Sequence, residues 1–251
     1  MNLVRNKKAL NSILIGIIIF WVVLAVVGAV LVYFFLLPSN VKTEEREFSS
    51  FTSIEVSYAF NVSIVQSSSY NVIITADEKI FEDVEVNQVG NTLEIGFKPG
   101  SYLGSLVRNA EITMPDLEAL TLSGASRGTV DGFNSSNRFD LVLSGASFLQ
   151  MIDMNVSDLD IEVSGASTLN GRGVGVDLVA VVSGASNVDL GFFPVNAANV
   201  NLSGANRAGI NLDGRLDAEV SGASHLEYTG EPTLGDINTS DSSTVSRAVT
   251  S

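Results

Sequence analysis

The chain has 251 residues, with 28 acidic against 14 basic side chains and a net charge of −14. No Asp or Glu precedes Glu44, whereas Arg5, Lys7 and Lys8 stand among the first eight residues, so the rest of the chain sets 11 bases against those 28 acids. Nucleic acid is thereby excluded as a partner, because phosphates need clustered Lys and Arg. With no Cys and a single histidine, His225, the chain has no disulfides, zinc fingers or thiol chemistry.

Residues 1–12 read as a short cytoplasmic tail. Ile13 to Leu37 then form an apolar run of 25 residues without a charge, long enough as a helix to cross a hydrocarbon core of roughly 30 Å. The run exceeds the ~7–15 residues of a cleaved signal peptide and ends in Phe34-Phe35-Leu36-Leu37-Pro38, with no small-residue cleavage site. It is expected to be an uncleaved signal anchor. The basic N-terminal flank then places the N-terminus in the cytoplasm and everything after Pro38 outside, as a single-pass membrane protein. Residues 38–47 are expected to be a polar tether.

Residues 48–114 carry strand-like runs at Ser53–Val56, Phe60–Gln66 and Tyr70–Ala76. A hairpin is expected where Val84-Glu85-Val86 turns at Gly90-Asn91 into Leu93 to Phe97. This half reads as an irregular β start that caps a solenoid.

Residues 115–251 repeat. Ser-Gly-Ala-Ser/Asn begins at Ser123, Ser144, Ser164, Ser183, Ser203 and Ser221, with a decayed copy at Ser240. The spacings of 21, 20, 19, 20, 18 and 19 residues mark one coil per repeat. Before each Ser, apolar and polar residues alternate, as in Phe139-Asp140-Leu141-Val142-Leu143 and Leu159-Asp160-Ile161-Glu162-Val163. That period of two defines a strand with one buried face. The pattern resumes after the Ser, at Leu149 and Met151 or Leu226 and Tyr228. Each coil is therefore strand, corner, strand, and coils of this period stack as a parallel β-helix. At the corners Gly124, Gly145, Gly165, Gly184, Gly204 and Gly222 supply backbone freedom, and Ala is expected to face the core. The stacked serines are expected to satisfy corner groups.

Searches for chemistry yield no catalytic residue. His225 occupies the corner position held elsewhere by Arg127, Phe148, Thr168, Asn187, Arg207 and Thr244, so it reads as an outward, variable side chain. Stacking would place Asp140 and Asp160, and later Asn199 and Asp217, in one outward column, with Glu162 and Glu219 in the next. Oxygen ligands about 5 Å apart could hold calcium, but Val142, Val179 and Val181 interrupt both columns, and a solvated acidic face is the reading preferred to a metal site. Five Asn-x-Ser/Thr sequons, at Asn61, Asn134, Asn155, Asn201 and Asn238, are compatible with an external domain without arguing for one.

The recurring Leu-x-Leu-Ser-Gly-Ala-Ser, after Phe51-Thr-Ser-Ile-Glu-Val and Phe60-Asn-Val-Ser-Ile-Val-Gln, resembles the GIN-type putative auto-transporter adhesin head domain over roughly residues 48–250. The resemblance implies a right-handed β-helix with an irregular β start and no cofactor, and it carries over no catalytic residue. The expectation is an all-β, extracytoplasmic, non-enzymatic adhesion, binding or structural module at the cell surface. Its partners would be the membrane and an envelope polysaccharide or surface protein. The alternatives are a polysaccharide-processing β-helix enzyme and an envelope-stress sensor signalling through the span.

Overall fold

The computed structural model describes residues 40–100 and 106–248. The expected tail and membrane segment at 1–12 and 13–37 lie outside these. Among the described residues no helix is long and apolar enough to cross a membrane. The described residues from Val41 onward form one compact unit.

The irregular part comprises β1 (Val41–Arg46), β2 (Ser53–Val56), β3 (Asn61–Gln66) and β4 (Asn71–Asp77), then a 3₁₀ turn at Phe81–Asp83, followed by β5 (Val84–Val89), β6 (Thr92–Phe97) and β7 (Arg108–Met114). The repeat region is built from pairs, each bent around a Ser-Gly-Ala corner. These are β8 (Ala119–Leu122) with β9 (Arg127–Asp131), β10 (Phe139–Leu143) with β11 (Phe148–Asn155), and β12 (Asp158–Val163) with β13 (Thr168–Val174). Next come β14 (Asp177–Gly184) with β15 (Asn187–Val195), β16 (Ala197–Gly204) with β17 (Arg207–Leu212), and β18 (Arg215–Val220) with β19 (His225–Thr229). The last pair, β20 (Thr233–Thr239) with β21 (Thr244–Arg247), bends around the decayed copy at Ser240.

The seven first members of the pairs stack in parallel within a ten-stranded sheet and the seven second members within an eleven-stranded one, strands of the irregular part completing both. The register is one repeat per coil: Leu141 sits between Leu120 and Ile161, and Leu149 between Gly128 and Leu169. Because side chains alternate across each strand, every inward position becomes an apolar column between the two sheets. Leu120, Leu141, Ile161, Ala180, Val200 and Ala218 form one such column, each at most 3% exposed.

The chain order is not the stacking order. The β2–β3 pair lies between β8–β9 on one side and β6–β7 on the other, all in parallel. The expected cap thus contributes two strand pairs to the solenoid itself. Closure comes from antiparallel strands beyond them: β5 pairs with β6 as the expected hairpin, and β4 pairs with β7. Gly90, at φ 63, takes the first turn position, where a glycine suits a two-residue hairpin. Phe51, Phe60 and Phe81 fill this end of the core, with Phe60 and Phe97 rings 5.3 Å apart.

One boundary needs correction. Residues 41–46, expected within a polar tether, form β1, which pairs antiparallel with β4 from Val41↔Asp77 to Arg46↔Val72. Their charges masked the strand: one face carries Lys42, Glu44 and Arg46, tied in a row by Lys42–Glu44 (2.8 Å) and Arg46–Glu44 (2.9 Å) ion pairs. An edge strand bearing charges is protected from pairing with another chain.

Candidate functional site

The corners set every outward side chain in register. Gly124, Gly145, Gly165, Gly184, Gly204 and Gly222 have φ between 63 and 110, the left-handed region. A Cβ on Gly165 would fall well inside contact with the carbonyl oxygen of Gly145, and the same holds for Gly184 against Gly165. Glycine is required twice over, by conformation and by the closeness of the next coil. In the decayed last corner Asp241 takes φ 58, and its carboxylate accepts the Gly222 N–H, a conformation short polar side chains visit more readily than others.

The inward residue of the corner is the fourth, which corrects the expected place of Ala; among the leading serines Ser164 and Ser221 do donate to the Leu143 and Leu202 carbonyls of the preceding coil, at 3.4 and 3.3 Å. Ala125, Ala146, Ala166, Ala185, Ala205 and Ala223 are exposed, and the leading serines Ser123, Ser144, Ser164, Ser183 and Ser221 are half-buried, with Ser203 exposed. Ser126, Ser147, Ser167, Ser186, Asn206 and Ser224 are at most 3% exposed. Their side chains close each turn, as when Ser167 Oγ donates to the Ser164 carbonyl at 2.9 Å. They also link coils: Ser147 N–H donates to Ser167 Oγ at 3.3 Å and Ser186 N–H to Asn206 Oδ1 at 2.9 Å. A tight turn leaves its first carbonyl and fourth amide beside the core, where unmet polar groups are costly. A small hydroxyl folded back at the fourth position meets both.

On the ten-stranded sheet the register brings Asp140 beside Asp160, and Asn199 beside Asp217, with Val179 between the two pairs. Glu162 and Glu219 lie in the neighbouring column, separated by Val181 and Asn201. Arginines occupy the carboxylates. Arg138 contacts Asp140 and Asp160, both at 2.5 Å, and Arg215 contacts Asp217 at 2.6 Å. Burial pushes the Asp160 carboxyl above the usual aspartate range despite Arg138, and Asp140 and Asp158 add to the rise. Hydrogen bonds from Arg215 and from the Asp236 amide hold Asp217 below that range. Among the described residues no three His, Asp or Glu side chains come together as a metal site. The face relieves its carboxylate repulsion with guanidinium groups.

His225 lies in the row formed by Arg127, Phe148, Thr168, Asn187, Arg207 and Thr244, and its Nδ1 meets the Thr244 hydroxyl. It is one more outward corner side chain.

The eleven-stranded sheet carries the more distinctive surface. Its next outward row runs Thr129, Gln150, Asn170, Asp189, Gly209 and Glu227. Two depressions open on it. One, of about 420 Å³, lies over Asn61, Ser63, Arg127, Thr129 and Phe148, with the Arg127 guanidinium 5.7 Å from the Phe148 ring centre. The other, of about 240 Å³, is lined by Gln150, Asn170, Arg172, Asp189 and Phe192 over a floor of Met151 and Gly171. Arg172 lies 5.3 Å from the Phe192 ring centre, and Phe192 is 71% exposed.

Phe192 projects because β15 bulges. Its register against β17 jumps from Leu190↔Ile210 to Pro194↔Asn211. The bulge is held at Gly191, on both its backbone groups: the Gly191 N–H donates to Asp189 Oδ1 at 3.1 Å, and Asn211 Nδ2 donates to the Gly191 carbonyl at 3.3 Å. Bulges of this kind re-aim a side chain out of the alternation. The repeat period gives no sign of it, although two successive phenylalanines in Asp189-Leu-Gly-Phe-Phe-Pro cannot both face inward from a regular strand.

Strand pairs stacked coil on coil into two sheets place the chain in the class of β-solenoid domains. The chain is a member of the family described as putative auto-transporter adhesin, head GIN domain, whose model matches residues 50–232. Solved structures share the fold. A putative adhesin from Bacteroides fragilis superposes with a TM-score of 0.74 at 17% identity, covering 83% of this chain and 97% of its own. One described as a putative lipid binding protein, from Parabacteroides distasonis, gives 0.66 at 17% identity, covering 84% and 98%. A putative adhesin from Parabacteroides merdae gives 0.62 at 18% identity, again covering 84% and 98%. No curated protein matches the chain.

Proposed function

We propose that the chain is a single-pass, membrane-anchored protein whose solenoid lies outside the membrane and acts as a non-catalytic adhesion or binding module. The observation that carries this reading is the coil-to-coil register, which lines up the outward strand positions of the eleven-stranded sheet into rows of mostly polar side chains. Such rows suit repeating partners, envelope polysaccharides or surface proteins, better than a single small substrate. Membership of the adhesin head family supports the reading. Anchoring rests on the apolar run at Ile13 to Leu37 and its basic flank. The enzyme alternative would need one coil with convergent acid and base groups, and Asp160 and Asp217 on the ten-stranded sheet are engaged by arginines.

The test uses the full chain in a zwitterionic detergent, fluorescently labelled and incubated with envelope preparations, with polymer length followed by size-exclusion chromatography. Saturable binding with unchanged polymer length is expected. Shortened polymer would replace this reading with an enzymatic one.

A further inference from the structure

We infer that the depression around Phe192 is a saccharide-binding site for neutral, hydroxyl-rich polymers of the envelope, an inference that rests on the adhesion reading above. Three observations carry it. The first is a large apolar ring held out in solvent: Phe192 is 71% exposed, and its bulge is fixed by Asp189 and Asn211 on either side of Gly191. Exposing an aromatic ring costs burial it would gain on the inward side, where Phe193 is 1% exposed. A ring kept out of the core and preorganised there presents a flat apolar face at little entropic cost on binding.

The second is the polar frame around that ring. Gln150, Asn170 and Asp189 occupy the same position on successive strands, so their heads recur at about 4.8 Å. Amides both donate and accept, and a carboxylate accepts. A sugar ring has an apolar C–H face for the aromatic and hydroxyls at its rim for such a frame. The mixture of Asp189 with Arg172 gives no net anion-binding charge, and the chain's 28 acids repel uronates and phosphates. Neutral sugars are the class that fits.

The third is size and repetition. At about 240 Å³ the depression is smaller than the roughly 300–1,000 Å³ of pockets for drug-sized ligands, which suits one ring at a time. The second Arg–Phe pair, Arg127 with Phe148, lies on the same face. Two strand spacings and four residues along the strand separate the two phenylalanines, roughly 16 Å. One oligosaccharide would bridge both platforms, so multivalent polymer binding follows.

The probes are immobilised cellotetraose, chitotetraose and maltotetraose, with the full chain in a detergent that has no sugar head group. At least one tetrasaccharide is expected to bind saturably. Phe192→Ala should weaken that binding by about tenfold, equivalent to about 1.4 kcal/mol, and Phe192→Trp should retain it. Gln150→Ala should weaken it to a lesser degree. Phe192 and Gln150 are both exposed, so melting curves of the three variants should match the parent and separate lost binding from lost fold. Failure of every probe, or binding by a folded Phe192→Ala variant equal to the parent's, overturns the site. If Phe192→Ala leaves attachment to envelope preparations intact, the saccharide site falls while the adhesion reading stands. If the parent chain attaches to no envelope preparation, the adhesion reading falls with it.

Discussion

The corner geometry makes a quantitative claim about Gly165. Its φ of 76 is a left-handed conformation that costs a residue with a Cβ about 1–2 kcal/mol. The first corner shows that this strain alone is tolerated, since Ala125 sits at φ 71. A Cβ at Gly165 also overlaps the backbone carbonyl of Gly145, which cannot swing aside without parting two coils. Overpacking of this kind costs about 1–3 kcal/mol more. Gly165→Ala should therefore destabilise by about 2–5 kcal/mol. At about 2–4 °C per kcal/mol for a domain of this size, Tm should fall by about 4–20 °C. Gly90→Ala is the control, because Gly90 has φ 63 and open space around its Cβ. It carries the conformational cost without the overlap. Thermal melts followed by circular dichroism compare the two. Equal drops in Tm would refute the claim that coil stacking, beyond turn conformation, demands glycine.

Three further outcomes follow. Ser167→Ala should cost about 1–3 kcal/mol by stranding a turn carbonyl and the Ser147 amide, whereas Ser164→Ala should cost under about 0.5 kcal/mol; the reverse order in chemical melts would return the ladder to the leading serine. Arg138→Ala leaves Asp140 facing Asp160 without a guanidinium between them. Millimolar calcium should raise Tm in that variant only, and a calcium-dependent rise in the parent would contradict the arginine-bridged face. The two shifted aspartates should respond oppositely to pH. The folded state holds the Asp160 proton more tightly than the unfolded chain does, so its contribution is present in acid and lost as pH rises through its elevated pKa. Asp217, held low, contributes above the usual aspartate range, and that stability is lost as pH falls through its depressed pKa. Relative to the parent, Asp160→Asn should therefore fare better at pH 7 than at about pH 3, and Asp217→Asn worse at pH 7 than at about pH 3. Tm differences that move together with pH would sink this assignment.

Strand positions were legible wherever one face alone was apolar. Ser53–Val56 coincides with β2, and the alternation before each corner marks β10, β12, β14, β16 and β18. The register followed from the repeat spacing. What stayed hidden lies where pattern and position part company. β1 reads as charged because it is an edge strand whose partner β4 lies far along the chain. The insertion of β2–β3 between β6–β7 and β8–β9 leaves no local trace, since each strand looks the same whichever neighbour it takes. Within the corner tetrapeptide the alternation stops, so composition could not say that the fourth residue turns inward and the Ala outward. Phe192 was lost for a related reason: a bulge breaks the period on which the reading relied.

The proposed topology puts the solenoid on the cell exterior, where its rows and platforms would meet a partner. The chain has no cysteine, so one introduced thiol reports its own side of the membrane. Ser242→Cys stands at the exposed last corner, and Asn6→Cys lies in the basic flank before the apolar run. A membrane-impermeant maleimide applied to intact cells should label Ser242→Cys and spare Asn6→Cys until the cells are lysed. Labelling of Asn6→Cys with protection of Ser242→Cys would place the solenoid inside the cell and contradict the account.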